Sequence, residues 1–151
     1  MASPEMPPPG SFKLKLVNLM TGAHVAAYRM SGGRIGGKMG QGARVVLLHH
    51  VGRKSGKERV SPLIGVLDGD KVVIAGSRGG SDATPAWWLN IRDAGRAKIQ
   101  VGTDLREVRP RLAQGEERAA LWPRLAAVWP DFEVYTTRTE REIPVIVLEP
   151  A

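Results

Sequence analysis

Four cations and one carboxylate crowd a segment of seven residues that apolar runs flank on both sides: Arg53, Lys54, Lys57, Glu58 and Arg59. The dipeptide Ser55-Gly56 lies among the cations and is typical of a tight turn. Four like charges on one turn repel each other, so an anionic ligand would relieve a cost that the fold otherwise carries. The pattern also fits a solvated hairpin tip, in which the charges only keep an exposed edge soluble.

A second segment, GSRGGSDATPAWWLNI, combines groups that attract anions with flat apolar groups. Ser77 and Arg78 follow a strand end, and the backbone N–H groups of the Gly79-Gly80 turn and of the next helix N-terminus would favour negative charge. Trp87 and Trp88 add indole faces that suit a planar ring. Together the two segments predict a site for a ligand with an aromatic head and an anionic tail.

The same ingredients could bind single-stranded nucleic acid by stacking bases and holding the backbone. Proteins of that kind usually interleave aromatic and cationic residues across one open face. The aromatic residues here fall instead into two groups, which are Trp87 with Trp88 and, near the C-terminus, Trp122, Trp129, Phe132 and Tyr135. This distribution favours a small-molecule ligand, and we expect no nucleic-acid partner.

Other motifs lack a residue or a geometry that their chemistry requires. The segment 32–38 has the glycine and lysine spacing of a P-loop, but Met39 stands where a magnesium-binding hydroxyl is needed. His49 and His50 are adjacent in a predicted strand, so their side chains point to opposite faces, and His24 is isolated. No Ser/His/acid set indicates nucleophilic catalysis. We therefore predict no metal site and no nucleotide hydrolysis.

The composition limits the partners and the compartment. Of the 151 residues, 42% are hydrophobic and 25% are charged, which is typical of one globular domain. The net charge of +7 favours anionic partners. Cysteine is absent, which excludes disulfides and thiolate chemistry. Because neither a signal peptide nor a membrane-span pattern is recognisable, the sequence predicts a cytoplasmic protein.

Apolar runs joined by turn signals predict strands at 45–51, 60–67, 71–75, 98–101, 105–112 and 143–150. Asp68-Gly69 is a hairpin signal between the second and third of these strands. A helix is predicted at 86–92, with caps offered by residues 81–84 ahead of Pro85, and another at 116–128 with Pro123 inside it. Because strands outnumber helices and the turns are short, the predicted fold class is α+β, an antiparallel sheet or barrel with peripheral helices.

The N-terminal part of the sequence predicts three segments ahead of the first long strand. Residues 1–11 are proline-rich and predict a disordered tail before a single domain, 12–151. Residues 12–30 predict an amphipathic helix that packs on the sheet or lies on an anionic membrane, since Lys13, Lys15 and Arg29 flank its apolar stripe. The predicted stripe comprises Phe12, Leu16, Leu19, Met20, Ala23, Ala26, Ala27 and Met30. Residues 31–42 contain six glycines and predict a mobile loop without regular structure.

Three segments, GRKSGKERVSPL, GSRGGSDATPAWWLNI and WPDFEVYTTRTEREIPVIVLEP, resemble the deazaflavin-dependent nitroreductase family, actinobacterial enzymes that use reduced coenzyme F420. The likeness extends from about Phe12 to Pro150, with the segments in the family's order. It implies a split β-barrel of the flavin-reductase, FMN-binding type. It also implies hydride transfer from F420H2 to a quinone, an enone or a nitroarene. Alternatives are an FMN- or haem-binding split barrel and a non-catalytic F420 carrier.

The resemblance also implies roles for individual residues. The phosphodiester and glutamate tail of F420 would be held by Arg53, Lys54, Ser55 and Arg59. The deazaflavin and its ribityl chain would be lined by Val60, Ser61, Pro62, Leu63, Ile64, Ala75, Gly76, Ser77, Arg78, Ala86, Trp87, Trp88, Leu89 and Asn90. Phe132 would close the pocket over the ring. Ser77 is the expected stabiliser of negative charge on the acceptor oxygen, and the proton would come from Tyr135 or from water.

The aromatic positions depart from the tyrosine-rich pocket of the family members that activate nitroimidazoles. Ile64, Trp129 and Phe132 stand at the matching positions, and only Tyr135 is retained. The loss of three hydroxyls removes hydrogen-bond donors that could hold a nitro group. We therefore expect a hydrophobic acceptor such as a quinone rather than a nitroimidazole. The expected assembly is a monomer or a homodimer.

Overall fold

Runs of aliphatic and β-branched residues form the strands, and the segments between them form the helices. The computed structural model describes residues 12–31, 38–39 and 43–151. The helices are α1 (Phe12–Ser31), α2 (Ala86–Ala94), α3 (Gly115–Val128) and α4 (Asp131–Thr136). The strands are β1 (Lys38–Met39), β2 (Ala43–Val51), β3 (Glu58–Asp68), β4 (Lys71–Ala75), β5 (Ala97–Val101), β6 (Asp104–Leu112) and β7 (Val145–Pro150). A short 3-10 turn, Arg78–Gly80, follows β4.

Strands β2 to β7 close into an antiparallel barrel. Neighbours in the sheet follow the order β1-β2-β3-β4-β7-β6-β5, and β2 also pairs with β5 through Leu47, Leu48 and His49. Strand β2 is nine residues long, so it can pair with β3 along most of its length and still reach β5. The α+β barrel class predicted from the sequence is confirmed.

Alternation along the strands divides the apolar residues between two faces. On β4, Val72 and Ile74 belong to the barrel interior, whereas Val73 and Ala75 belong to a second cluster with helices α3 and α4. All four are at most 8% exposed. Burying a side chain of this kind contributes about 1.5–3 kcal/mol. The two faces therefore fix α2 and α4 beside the same barrel strands, and this arrangement creates the cleft described below.

Helix α1 has the predicted bounds within one residue, but a different face of it packs on the barrel. Among its described side chains, Val25 and Tyr28 are buried against Val45 and Leu47. The Tyr28 hydroxyl accepts from the N–H of Gly102 at 2.7 Å and donates to the carbonyl of Gln100 at 3.3 Å. The predicted apolar stripe is therefore wrong in this half of the helix. Its members Ala23, Ala26 and Met30 are exposed, because the larger tyrosine and valine supply the packing.

Two further details of the predicted elements are corrected. No side chain of residues 81–84 caps α2; Pro85 occupies the N-cap position and its carbonyl accepts from the N–H of Trp88 at 3.2 Å. The last strand begins at Val145 rather than Ile143, because Pro144 has no N–H to donate to a neighbouring strand. Helix α3 continues through Pro123 as a single helix.

Some predictions fall wholly or partly outside the described residues. The tail 1–11 lies outside them, as does most of the glycine-rich segment 31–42. Where that segment is described, it has regular structure: Ser31 ends α1, and Lys38 and Met39 pair with Arg44 and Ala43. In the described ranges, no helix is long and apolar enough to cross a membrane.

Candidate functional site

A cleft of about 830 Å³ opens between the β2–β3 turn, strand β3, the segment after β4, and helices α2 and α4. Most of the predicted site residues line it: Arg53, Lys54, Ser55, Arg59, Ser61, Pro62, Leu63, Ile64, Ala75, Ser77, Arg78, Ala86, Trp87, Asn90, Phe132 and Tyr135. The fold thus brings together segments that are far apart in the chain, from the basic turn to α4.

Four predicted residues lie elsewhere. Val60 packs on the cluster beneath α1 that contains Val25 and Tyr28. Trp88 is 8% exposed and belongs to the barrel interior, since successive helical residues point about 100° apart and Trp87 takes the cleft side. Leu89 follows on the same turn and does not line the cleft. Gly76 packs against Pro144, where an added Cβ would lie 2.8 Å from Pro144 Cγ.

The basic turn forms the polar end of the cleft. Its backbone is closed by hydrogen bonds from the N–H of Gly52 to the carbonyl of Lys57 at 2.9 Å and from the N–H of Gly56 to the carbonyl of Gly52 at 2.8 Å. Gly56 has φ +69°, a conformation that favours glycine. Arg53 and Lys54 are exposed and line the cleft, whereas Lys57 does not. The turn is therefore rigid in its backbone but leaves its cationic side chains accessible.

The charge of the cleft has one sign. Among the described lining residues there is no aspartate or glutamate, while Arg53, Lys54, Arg59 and Arg78 each contribute a cation. In a concave site bordered by apolar side chains, unpaired like charges raise the local concentration of anions. This end of the cleft is suited to a polyanionic group.

A chain of hydrogen bonds runs from the basic turn into the cleft wall. Arg53 donates to Asn90 Oδ1 from its backbone N–H at 3.1 Å and from Nη1 at 3.2 Å. Asn90 Nδ2 lies 3.0 Å from His50 Nδ1, and His50 Nε2 lies 2.9 Å from Ser61 Oγ. Asn90 and His50 are 4% and 7% exposed. Burial, with help from Arg59 and His49, lowers the pKa of His50 to about 4.

His50 lines the cleft although the sequence does not predict it as a site residue, and the same holds for Thr21, Gly52, Gly79 and Pro85. The described ranges contain no cluster of metal-ligating residues. The cross-strand partner of His50 in the β2–β3 ladder is Arg59, so His50 sits at the base of the basic turn. The sequence signal that could have identified His50 is a polar residue at an inward-facing position of β2, three residues before Arg53 of the basic turn.

The segment after β4 holds Ser77 in a strained loop. Arg78, Gly79 and Gly80 all have positive φ, of 45°, 63° and 83°. Arg141 donates to the carbonyls of Ser77 and Ser81 at 2.9 and 2.8 Å, and Arg138 donates to the carbonyl of Gly79 at 3.1 Å. Such strain persists only where the surrounding contacts over-determine it. The two arginines therefore position Ser77, which is 7% exposed, at the cleft wall.

One expectation for this loop is wrong. The N–H of Gly80 was expected to be available to an anion, but it donates to the carbonyl of Ser77 at 2.9 Å and closes the 3-10 turn. The N–H of Ser81 is likewise engaged by the carbonyl of Arg78 at 3.2 Å. Those two amides are therefore not available to a ligand, whereas the Arg78 side chain lines the cleft.

Aromatic and aliphatic side chains form the other end of the cleft. Phe132 and Tyr135 meet edge to face at 6.0 Å between ring centroids, and Trp129 Nε1 donates to the Tyr135 hydroxyl at 3.3 Å. Ile64 packs in the same cluster, and Trp87 lines the cleft from α2. Trp122 does not line the cleft; it is partly buried against the second core cluster and its Nε1 donates to Glu133 at 2.6 Å. The cleft thus joins an apolar pocket to a cationic rim.

Comparisons with known proteins point to one family. A family model described as F420H(2)-dependent quinone reductase matches residues 20–150. A curated F420H(2)-dependent quinone reductase of Mycobacterium tuberculosis is 32% identical over 133 residues, which are 83% of this chain and 86% of that protein. A second Mycobacterium tuberculosis protein, provisionally named an F420H(2)-dependent quinone reductase, is 39% identical over 117 residues, which are 78% of this chain and 98% of that protein.

Solved structures share the fold. A structure described as an F420-H2 dependent reductase is 33% identical, with a TM-score of 0.64 over 70% of this chain and 93% of that chain. Another, described as a domain-swapped dimer, is 28% identical, with a TM-score of 0.67 over 91% of this chain and 99% of that chain.

Proposed function

The chain belongs to the F420H(2)-dependent quinone reductase family, and from this premise we propose that its cleft binds F420 and serves hydride transfer to a quinone or another electron-poor conjugated acceptor. F420H2-dependent oxidoreductase activity follows from the family. The observation that carries the proposal for the cleft is its polarity: Arg53, Lys54 and Arg59 at the basic turn, no carboxylate among the described lining residues, and aromatic side chains from α4 on the opposite wall.

The residues present fit this cofactor. A phosphodiester followed by glutamates is strongly anionic, and Arg53, Lys54, Ser55 and Arg59 would hold it at the basic turn. The planar ring system would lie against Leu63, Ile64, Ala75, Ala86, Trp87 and Phe132. When bound, reduced F420 supplies a hydride, because carbon replaces the flavin nitrogen at the reacting position. The chain itself supplies orientation, exclusion of water and polarity.

We propose that two hydroxyls act on the acceptor. Ser77 lines the cleft beside Ala75 and would donate to the acceptor oxygen as negative charge develops on it. The Tyr135 oxygen already accepts from Trp129, so its own proton is free to point toward a ligand. We propose Ser77 as the charge-stabilising group and Tyr135, or water, as the proton source.

The apolar pocket supports quinones over nitroimidazoles. Ile64, Trp129 and Phe132 offer no hydroxyl, and the Trp129 N–H is engaged by Tyr135. A nitro group placed there would find the hydroxyls of Ser77 and Tyr135 but none from these three positions, whereas a quinone ring buries apolar surface on the same walls.

The reaction assay tests these assignments through Ser77→Ala. We expect the protein to catalyse oxidation of F420H2 by a soluble menaquinone analogue, which is measured as the return of F420 absorbance. Ser77→Ala should lower kcat by roughly ten-fold or more and change F420 affinity less, since the contact strengthens in the transition state. Thr103→Ala, whose hydroxyl lies in the β5–β6 turn, is the control. Equal kcat in Ser77→Ala and wild type would remove the side chain from the mechanism.

A peripheral contact with an anionic membrane through α1 belongs to the proposal, because a lipid quinone resides in the bilayer. Its support is the face of α1 opposite the packed residues, where Ala23, Ala26, Arg29 and Met30 are exposed, Met30 by 90%. Wild type should sediment with anionic vesicles at low salt, and Ala26→Glu with Met30→Glu should not. Sedimentation of both, or of neither, contradicts the contact.

The assembly proposed is a homodimer. The support is the similar structure that is a domain-swapped dimer, at 28% identity. Light scattering of the purified chain distinguishes a dimer from a monomer.

A further inference from the structure

The hydrogen-bonded chain from Arg53 to Ser61, here called the relay, links the basic turn to the cleft wall across three elements. Its members are Arg53 in the turn, Asn90 on α2, His50 on β2 and Ser61 on β3, joined by contacts of 2.9 to 3.2 Å. Its two central side chains are more than nine-tenths buried. Buried polar groups in a continuous chain leave few alternative arrangements of their protons.

The direction of the relay is set at its Arg53 end. A guanidinium and a backbone N–H can only donate, so the amide oxygen of Asn90 must face Arg53. The amide nitrogen then faces His50, and it too can only donate. His50 Nδ1 must therefore accept and carries no proton, which places the proton of the neutral ring on Nε2.

The last step reaches the cleft. His50 Nε2–H donates to Ser61 Oγ, so the hydroxyl proton of Ser61 is directed to another acceptor. Ser61 lines the cleft between Arg59 and Leu63, at the junction of its cationic and apolar ends. If His50 were protonated, its Nδ1–H would face the N–H group of the Asn90 amide, and two donors would meet. The lowered pKa of His50 agrees with a neutral ring.

We propose that the relay fixes Ser61 as a hydrogen-bond donor to an oxygen of the bound cofactor that carries no proton, with His50 and Asn90 as positioning residues. This rests on the proposed function, because F420 is the ligand. The oxygen is either a phosphate oxygen of the tail or a carbonyl of the ring. Arg53 would then have two roles. It would contact the anionic tail of F420, and through Asn90 and His50 it would orient the Ser61 hydroxyl toward the cofactor oxygen.

Ser61→Ala and His50→Leu test the donor by titration with F420. We expect each to raise Kd by roughly ten-fold, the value of one well-placed hydrogen bond to a charged or strongly polar oxygen. Ser61→Thr keeps the hydroxyl, and His50→Gln keeps a donor toward Ser61, so both should stay within about three-fold of wild type. The matched control is His49→Leu, on the opposite face of β2, which should bind F420 like wild type.

Two further readouts separate this role from a structural one. In the protein without F420, ¹⁵N NMR of the imidazoles at neutral pH should show His50 protonated on Nε2; protonation on Nδ1, or on both nitrogens, overturns the relay. Urea unfolding should be similar for Ser61→Ala and Ser61→Thr while their Kd values differ. The deazaflavin riboside, which lacks the phosphate tail, identifies the oxygen: Ser61→Ala weakens its binding if the oxygen is on the ring and not if it is the phosphate.

The failures are distinguishable. If wild type binds F420 and Ser61→Ala binds both F420 and the riboside equally well, the donor assignment is overturned and the proposed function stands. If wild type does not bind F420, the proposed function fails together with the assignment of Ser61 to that cofactor.

Discussion

Replacing Arg53 and Lys54 together by alanine is expected to raise the Kd for F420 by roughly 100-fold or more, with a much smaller change in kcat at saturating cofactor. A hydrogen bond to a charged group is worth about 1.5–3 kcal/mol, and two such contacts to the tail would be lost. Arg53 additionally orients Asn90, so its loss also releases the relay. The tail does not react, so turnover of the saturated enzyme should depend little on these cations.

A charge-matched control separates the site from the general field of a protein with net charge +7. Arg92→Ala with Arg109→Ala also removes two cations, but both lie outside the cleft. We expect that variant to bind F420 within a few-fold of wild type. The affinity of wild type for F420 should fall as salt is added. The affinity of the Arg53→Ala, Lys54→Ala variant should fall less, because fewer charge contacts with the tail remain to be screened. Equal affinity of the double variant and wild type would reduce the basic turn to a solvated hairpin tip.

Gly80→Ala is expected to destabilise the fold by about 2–5 kcal/mol, the sum of left-handed backbone strain and overpacking. Gly80 has φ +83°, and an added Cβ would lie 2.9 Å from both the Tyr135 carbonyl oxygen and Arg138 Cβ. To relieve this contact, the loop that carries Ser77 would have to move away from α4. Because Phe132 and Tyr135 of α4 line the cleft, the shape of the cleft would change as well. Urea unfolding measures the stability, and F420 titration measures the effect on the cleft.

Gly79→Ala is the matched comparison. Gly79 also has a positive φ, of 63°, but no atom lies within 4 Å of its added Cβ. This variant should show the backbone strain alone, about 1–2 kcal/mol. If the two variants lose the same free energy of unfolding, the close approach of Gly80 to α4 is not what holds the loop.

The local sequence was sufficient to predict the barrel strands and the basic turn. Apolar runs such as 71–75 and the Asp68-Gly69 turn have few alternative conformations, so their bounds are close to the observed ones. The resemblance to a family then supplied the cleft residues in three separated segments. Neither signal reports which side of an element faces the ligand. Val60 and Trp88 were therefore assigned to the cleft although they pack on the barrel.

What the sequence did not predict depends on partners distant in the chain. Arg138 and Arg141 hold the loop of Ser77 across about sixty residues, and nothing local in that arginine-rich segment marks them as clamps. The relay needs β2, β3 and α2 to be packed together before His50 and Asn90 can meet. On α1, helical spacing alone does not distinguish alanines from larger residues, whereas in the fold Tyr28 and Val25 form the packed face.

The central claim is that this cleft binds F420, and retention of the cofactor tests it most directly. Equal amounts of F420, FMN and a short single-stranded DNA are mixed separately with the purified wild-type chain and passed through a gel-filtration column. We expect F420 to elute with the protein, while FMN and DNA elute at their own volumes. Retention of FMN with loss of F420 would make the chain a flavin-binding split barrel, and either that result or retention of the DNA alone would contradict F420 binding.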